Sequence, residues 1–598
     1  MGFWHSSLSR QNKGCDDLVQ GRSHDQKDVI LNQTIYGLLA LLPIVLCGIF
    51  LIGLQWSAKK TMPIILVVTA ALAIFIWDMT LNRVSSSIIQ GLVITVSVLW
   101  IVFGAIFLLN TLKHTGAIAV IRAGFTNVSP DRRVQAIIIA WCFGCFLEGA
   151  SGFGTAAAIA APLLVAVGFP ALGAVLMGMM IQSTPVSFGA VGTPIVIGVN
   201  DGLDKAAISA QLAQEGVQWG EFLQLITSQV AIIHGVIGTF MPLFMVMMLT
   251  RFFGKNKSWR EGFAIWPFAI FAGLAFTIPY MITGVFLGPE FPSLVGGLVS
   301  ITVVVNAAKR GFLVPKTIWD FEPQKNWPRE WLGKLVVSKE DTTLTLSDKK
   351  MSTLMAWFPY LLVALLLVFS RVFTGFQSLL NSVAVDLTSI LGETDISASF
   401  SPLYLPGGLL LISALVAAAF QTRKPVSALN SAFKESGKTV LGAGFVLIFT
   451  IPMVRIFINS GINLSDVASM PVASAELFSG TFGNVFPLIS PTIGALGAFI
   501  AGSNTVSNMM FSQFQYEAAM SLNISPSLII AAQAVGAAAG NMIAIHNVVA
   551  ASATVGLLGM EGSTLRRTIL PTLYYVLFCG IIVMAAIYIF GFQGPLAS

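Results

Sequence analysis

Apolar residues run along this chain in blocks of about twenty, separated by short polar turns. The blocks predict spanning helices at roughly 33–54, 62–80, 87–110, 172–199, 220–250, 262–286, 291–307, 354–376, 403–420, 438–460, 526–558 and 566–591. Most are close to the length that crosses a bilayer's hydrocarbon core. Two further apolar blocks, 134–168 and 481–520, are interrupted halfway by small polar residues. They read as re-entrant hairpins. The tip of the first is Glu148-Gly149-Ala150-Ser151-Gly152-Phe153-Gly154-Thr155, and that of the second is Gly502-Ser503-Asn504-Thr505-Val506-Ser507-Asn508. The two can be laid over one another: Phe146-Leu147-Glu148-Gly149 matches Phe499-Ile500-Ala501-Gly502, an offset of 353. Irregular backbone at membrane depth survives only when buried in protein or lining a cavity. Paired breaks in two halves of a chain point to a transporter's binding site.

Composition agrees with a membrane chain. Hydrophobic residues make up 55% and charged residues 10%, with a mean hydropathy of +0.82. The expected fold is therefore all-α and integral to the membrane, with about twelve transmembrane helices plus the two hairpins. The net charge of +6 reflects loop topology and not nucleic-acid binding. Loops at 55–61, 111–133, 251–261, 308–353, 421–437 and 561–567 hold 24 of the 33 Lys and Arg residues. Basic loops stay on the cytoplasmic side. Both termini are then expected outside the cytoplasm, in a multi-pass protein of the plasma membrane.

On that orientation the two halves align with opposite polarity. Segment 33–54 pairs with 354–376, 62–80 with 403–420, and 87–110 with 438–460. The expected organisation is a polar N-terminal tail at 1–32, a first inverted repeat at 33–250 and a second at 354–598. Between the repeats, 251–353 supplies two linker spans and a solvated cytoplasmic loop at 308–353. The tail balances Arg10, Lys13, Arg22 and Lys27 against Asp16, Asp17, Asp25 and Asp28. It has no apolar core of its own, so it reads as a tail and not as a cleaved signal.

The candidate chemistry sits at the breaks. A helix that starts after a glycine-rich tip exposes backbone N–H groups and the positive end of its dipole, which attract a carboxylate. Gly149, Ser151, Gly152, Thr155, Ser503, Asn504, Thr505 and Asn508 are the candidate binding residues there; small residues that merely let helices pack are the plainer alternative. The span after each hairpin is broken too. Gln182-Ser183-Thr184-Pro185 leads to Gly189, and Gln533 leads to Gly540-Asn541 and His546-Asn547, the same seven-residue step. Gln182, Thr184, Gln533, Asn541 and Asn547 are candidate substrate ligands; kinks relieved by neighbouring helices would give the same pattern.

Ionisable groups at membrane depth are few: Asp78, Glu148, His234, Arg371, Arg455 and His546. Each is a functional candidate by default. Glu148 abuts a tip, and burial favours its protonated form, which suits a proton carrier; a structural, ion-paired carboxylate is the alternative. His546 suits proton exchange or packing. Arg455 suits a counter-charge or a side chain reaching for the outer surface. The five cysteines show no disulfide or zinc spacing. No phosphate loop, nucleophile elbow or metal cluster is apparent. No enzyme activity, metal or cofactor is expected.

The stretch Cys145–Thr155 is similar to the signature region of the bacterial lactate permease family. So are Gly502-Ser503-Asn504-Thr505-Val506-Ser507-Asn508-Met509-Met510 and Ala532-Gln533-Ala534-Val535-Gly536. The resemblance extends from about residue 33 onward. It implies proton-coupled uptake of lactate, often with glycolate or related 2-hydroxy monocarboxylates. The wider ion-transporter superfamily implies an elevator mechanism, with the hairpins and broken spans sliding against a scaffold that also forms a dimer interface. Ser503-Asn504-Thr505 also resembles the signature of sodium/dicarboxylate symporters, but the first tip departs from it with Ala150-Ser151-Gly152, which fits proton coupling better. The alternatives are a sodium-coupled carboxylate or dicarboxylate symporter and a membrane lactate sensor that binds without transporting.

Overall fold

The computed structural model describes residues 34–50, 54, 56, 58–123, 128–152, 154–333, 351–557 and 560–597. The expected N-terminal tail and much of the cytoplasmic loop fall outside them. Among the described residues, ten helices are long and apolar enough to cross a membrane, or eleven when the bent pair Ala171–Ile181 and Val186–Gly202 counts as one. This differs from the expected twelve spans. Thr34–Gly48 and Pro406–Gln421 are too short to qualify. Ala58–Phe75 is a further helix of 18 residues that begins with Lys59 and Lys60.

Both hairpins form. The first has arms Arg132–Ser151 and Thr155–Ala166. The second has arms Phe486–Ala501 and Asn504–Ser521. Their turns rest on glycines in conformations that L-residues avoid: Gly152 at φ 59°, Gly154 at φ 74° and Gly502 at φ 75°. Each hairpin is followed by a broken span. Ala171–Ile181 bends by 62° into Val186–Gly202. Pro526–Gly540 gives way to a short 3₁₀ turn at Asn541–Ile543 and then to Ile545–Thr554.

The hairpins and broken spans make the inner core. The arm Arg132–Ser151 is buried along its length, as is Pro526–Gly540. Glycines permit the close approach. A Cβ on Gly536 would lie 1.9 Å from the Pro491 carbonyl, and one on Gly540 would lie 2.2 Å from that of Ala495. Outer helices instead show apolar side chains such as Val67, Leu365 and Leu573 on their exposed faces. In a membrane protein that is the face met by lipid tails.

Two helices of 34 residues, Leu81–His114 and Pro425–Ile458, pack against each other along their length. Their contacts descend in opposite order: Ser87 with Asn459, Thr95 with Leu447, Asn110 with Ser436, and Lys113 with Glu435. The pair is therefore antiparallel. Pro406–Gln421 crosses the first of them where a Cβ on Gly104 would meet the Gly407 carbonyl at 2.4 Å.

Two features depart from the sequence reading. Met470–Phe482 is a further helix ahead of the second hairpin; its alternation of small, polar and apolar residues hid it. The fold is also not purely helical. Residues Val385–Leu387 and Ala398–Phe400 form a two-stranded antiparallel ribbon, with Val385 opposite Phe400. Arg83 pins the loop between these strands, donating to Glu393 at 3.0 Å and to Asp395 at 2.6 Å. Ser86 and Gln90, further along the same helix, donate to the Ile390 and Ser397 carbonyls.

Candidate functional site

The two tips meet. Gly152, Gly154 and Thr155 from the first and Gly502, Ser503, Asn504 and Thr505 from the second line one cavity of about 170 Å³. Asn541 and Asn547 of the second broken span and Gly189, Ala190 and Pro194 of the first complete its polar walls. Val102 and Ile106 of the long helix Leu81–His114 close the remaining side with aliphatic carbon. At about 30 Å³ per water, the space suits about five waters or one small organic acid.

Two helices start at this cavity. Neither Thr155–Ala166 nor Asn504–Ser521 has a side chain capping its first turn. The Thr155 N–H donates to the Gly152 carbonyl at 3.1 Å; the next N–H groups of each first turn have no intrahelical acceptor. The backbone opposite is held in an unusual state: Ala190, Val191 and Gly192 all have positive φ, at 44°, 54° and 79°. Two of these are not glycine, and strained backbone of this kind concentrates at ligand sites. Gly152 allows the approach, since a Cβ there would lie 2.7 Å from that of Ala190.

Among the described residues, Glu148 is the one acidic or basic residue lining the cavity. It is buried, and Gln182 Nε2 donates to its Oε2 at 2.6 Å. Gln182 thus stands behind the cavity and orients the carboxylate. Ser151 is also turned inward, bonding the Leu147 carbonyl at 2.8 Å and the Thr155 hydroxyl. Gly149 packs against Ser293, where a Cβ would meet backbone at 2.6 Å. Asn508 donates to the Pro194 carbonyl at 3.1 Å, and Gln533 bridges Ser507 and Gln515. Of the candidate ligands, then, Gly152, Thr155, Ser503, Asn504, Thr505, Asn541 and Asn547 reach the cavity with Glu148. Gly149, Ser151, Gln182, Gln533 and Asn508 brace it.

Thr184 has a different setting. Its carbonyl accepts from the Tyr280 hydroxyl and its own hydroxyl from Tyr575, both at 2.9 Å. Tyr575 lies 2.7 Å from His234 Nδ1, and His234 Nε2 lies 2.8 Å from the Ser187 hydroxyl. Tyr280, Tyr575 and Ser187 were not legible as site neighbours, because single polar residues in apolar helices carry no spacing signal. His234 stood out only as a charge-capable group at depth.

Arg455 lies apart. It donates to Gln90 at 2.7 Å, to the Asp201 carbonyl at 3.0 Å and to Asn459 at 3.3 Å. It lines a second cavity of about 1450 Å³, bordered by the strand loop and by Asp204, Glu290 and Asp395. His546 sits on the helix Ile545–Thr554, but its side chain lies outside the described residues.

This geometry can be set beside known proteins. The L-lactate permease family profile matches residues 37–590. The chain belongs to the L-lactate permease family. The Escherichia coli K12 L-lactate permease is 28% identical over 93% of this chain and 97% of its own length. The Bacillus subtilis L-lactate permease is 27% identical over 88% and 91%. The glycolate permease GlcA of Escherichia coli K12 is 26% identical over 92% and 96%. Membership of this permease family makes the chain a multi-pass bacterial membrane transporter and not an enzyme.

Proposed function

We propose that this permease carries lactate and related 2-hydroxy monocarboxylates such as glycolate into the cell together with a proton. The observation that carries the reading is the shared cavity. Two uncapped helix starts offer N–H groups to a carboxylate, and Glu148 is the one acidic or basic residue on its wall among the described residues. A carboxylate beside a bound anion is repelled unless it takes up a proton. Glu148 is therefore the proton carrier, aligned by Gln182, and Gly152, Thr155, Ser503 and Thr505 hold the substrate carboxylate. Because Arg455 borders the other cavity, its part is at the entrance and not as partner of Glu148. His546 remains a second candidate for the proton by its place in the broken span.

On this reading the chain is two inverted repeats, 33–250 and 354–598, joined by 251–353. The antiparallel pair of 34-residue helices and the two hairpins support that division. The hairpins and broken spans form a moving unit that slides, elevator-fashion, along the scaffold of long helices, whose outer faces also serve a homodimer. The basic loops face the cytoplasm and both termini face outward.

Uptake of labelled lactate into proteoliposomes containing only this protein tests the reading. Accumulation should follow an inward proton gradient without sodium and collapse with a protonophore. Glu148→Gln should still exchange lactate for lactate but lose accumulation against a gradient. Uptake that waits for sodium would move the assignment to a sodium-coupled carrier, and unchanged pH dependence in Glu148→Gln would remove that residue. Lactate binding with no accumulation under any gradient would leave the sensor.

A further inference from the structure

Asn504 stands on the cavity wall at the start of the second hairpin's outgoing arm. It is 2% exposed. Its amide nitrogen points to the Ser187 hydroxyl at 3.4 Å and the Ala534 carbonyl at 3.5 Å. A carbonyl can only accept, so the nitrogen belongs on that side and Oδ1 on the other. That Oδ1 is buried and has no hydrogen-bond partner among the described residues. Across the cavity, Oδ1 of Asn541 is in the same condition.

An acceptor buried without a protein donor costs free energy unless water or a ligand supplies one, and a ligand that fills the cavity displaces the water. A carboxylate cannot, because it too only accepts. A 2-hydroxyl can donate. A 2-oxo group would set a second acceptor against the first, and an unsubstituted carbon would leave Oδ1 unmet. We propose that Asn504 Oδ1 takes the hydrogen of the substrate's 2-hydroxyl and so selects 2-hydroxy acids over their 2-oxo and unsubstituted counterparts. The selection rests on the monocarboxylate reading above.

The orientation of Asn504 is set from behind. Ser187 donates to the Ala534 carbonyl at 3.0 Å and faces His234 at 2.8 Å. His234 in turn is held by Tyr575 and Tyr575 by Thr184. This buried chain runs from the bend of the first broken span to the second tip. Ser187 and His234 are positioning residues: they fix which face of the Asn504 amide looks at the ligand and touch no substrate themselves.

The test is competition against labelled lactate uptake by unlabelled glycolate, pyruvate and propionate, in proteoliposomes. A buried acceptor left unmet corresponds to about five- to 150-fold in affinity. The wild-type protein should therefore prefer glycolate to propionate and pyruvate by at least about fivefold. In Asn504→Ala that ratio should shrink towards one, because the hydroxyl no longer contributes. His234→Phe should shrink it as well, and His234→Gln, which keeps a hydrogen-bonding group towards Ser187, should restore part of it. An unchanged ratio in Asn504→Ala overturns the proposal, as does a wild-type protein that binds propionate and glycolate equally. Should Asn504→Ala fail to fold, the wild-type ratio and the two His234 variants decide. If the purified wild-type protein is stabilised against heat by none of these acids, the monocarboxylate reading itself fails, a result distinct from equal binding.

Discussion

Gly152 turns the first tip at φ 59° and ψ −159°, a backbone state that costs any other residue about 1–3 kcal/mol. A Cβ would also press on Ala190 at 2.7 Å. Gly152→Ala should therefore lower the melting temperature of the purified protein and abolish uptake, measured by thermal unfolding in detergent and in proteoliposomes. An active, equally stable variant would show that the tip tolerates a different turn. Glycine at this place was legible because small polar residues inside an apolar block have few other uses. Glu148 was legible for a similar reason: charge at membrane depth is costly and stands out. Ser187, Tyr280 and Tyr575 were not, since a single hydroxyl within an apolar segment leaves little trace in hydropathy. The separation of Glu148 from Arg455 also escaped the sequence, because hydropathy places residues by depth and says nothing about which cavity they face.

At the scale of elements, hydropathy marked both hairpins to within a few residues. Arms predicted within 134–168 and 481–520 appear as Arg132–Ser151 with Thr155–Ala166 and Phe486–Ala501 with Asn504–Ser521. It failed where an element is short or mixed, at Met470–Phe482 and the ribbon Val385–Leu387 with Ala398–Phe400. A three-residue strand offers no period to detect. What holds the second hairpin to its broken span is contact between backbones, as at Gly536 against Pro491. Gly536→Ala must displace a carbonyl and not a flexible side chain, so it should destabilise the protein by about 1–3 kcal/mol. Gly437→Ala is the control: its Cβ would meet nothing within 4 Å, so the gain in helix propensity should leave the melting temperature equal or higher. If the two variants melt alike, the tight crossing does not limit stability.

For the whole molecule, the ribbon loop lines the larger cavity and is fastened by Arg83. The hydrogen bond from Arg83 holds the Asp395 carboxyl below its usual value. A carboxyl depressed by folding contributes stability that is present above its unfolded pKa, near 3.9, and is lost as pH falls through the folded value. Asp395→Asn should thus melt lower than the wild type at neutral pH, and the gap should close as the pH drops below about 4. A gap independent of pH would mean that the ion pair adds nothing to the fastening of the loop. The uncapped starts of Thr155–Ala166 and Asn504–Ser521 carry a last consequence. Each helix end resembles about half a positive charge, so together they offset about one negative unit. With Glu148 ionised and no guest, the chamber is close to electrically balanced. With an anion bound and Glu148 protonated, it is balanced again. On the proposed elevator-type symport, a lone anion or a lone proton would leave it one unit out of balance, and moving such a chamber through hydrocarbon would be the slow option. Under the proposed symport, slippage would then be opposed by the wiring of these two helix ends, which favours a chamber that carries both passengers or neither.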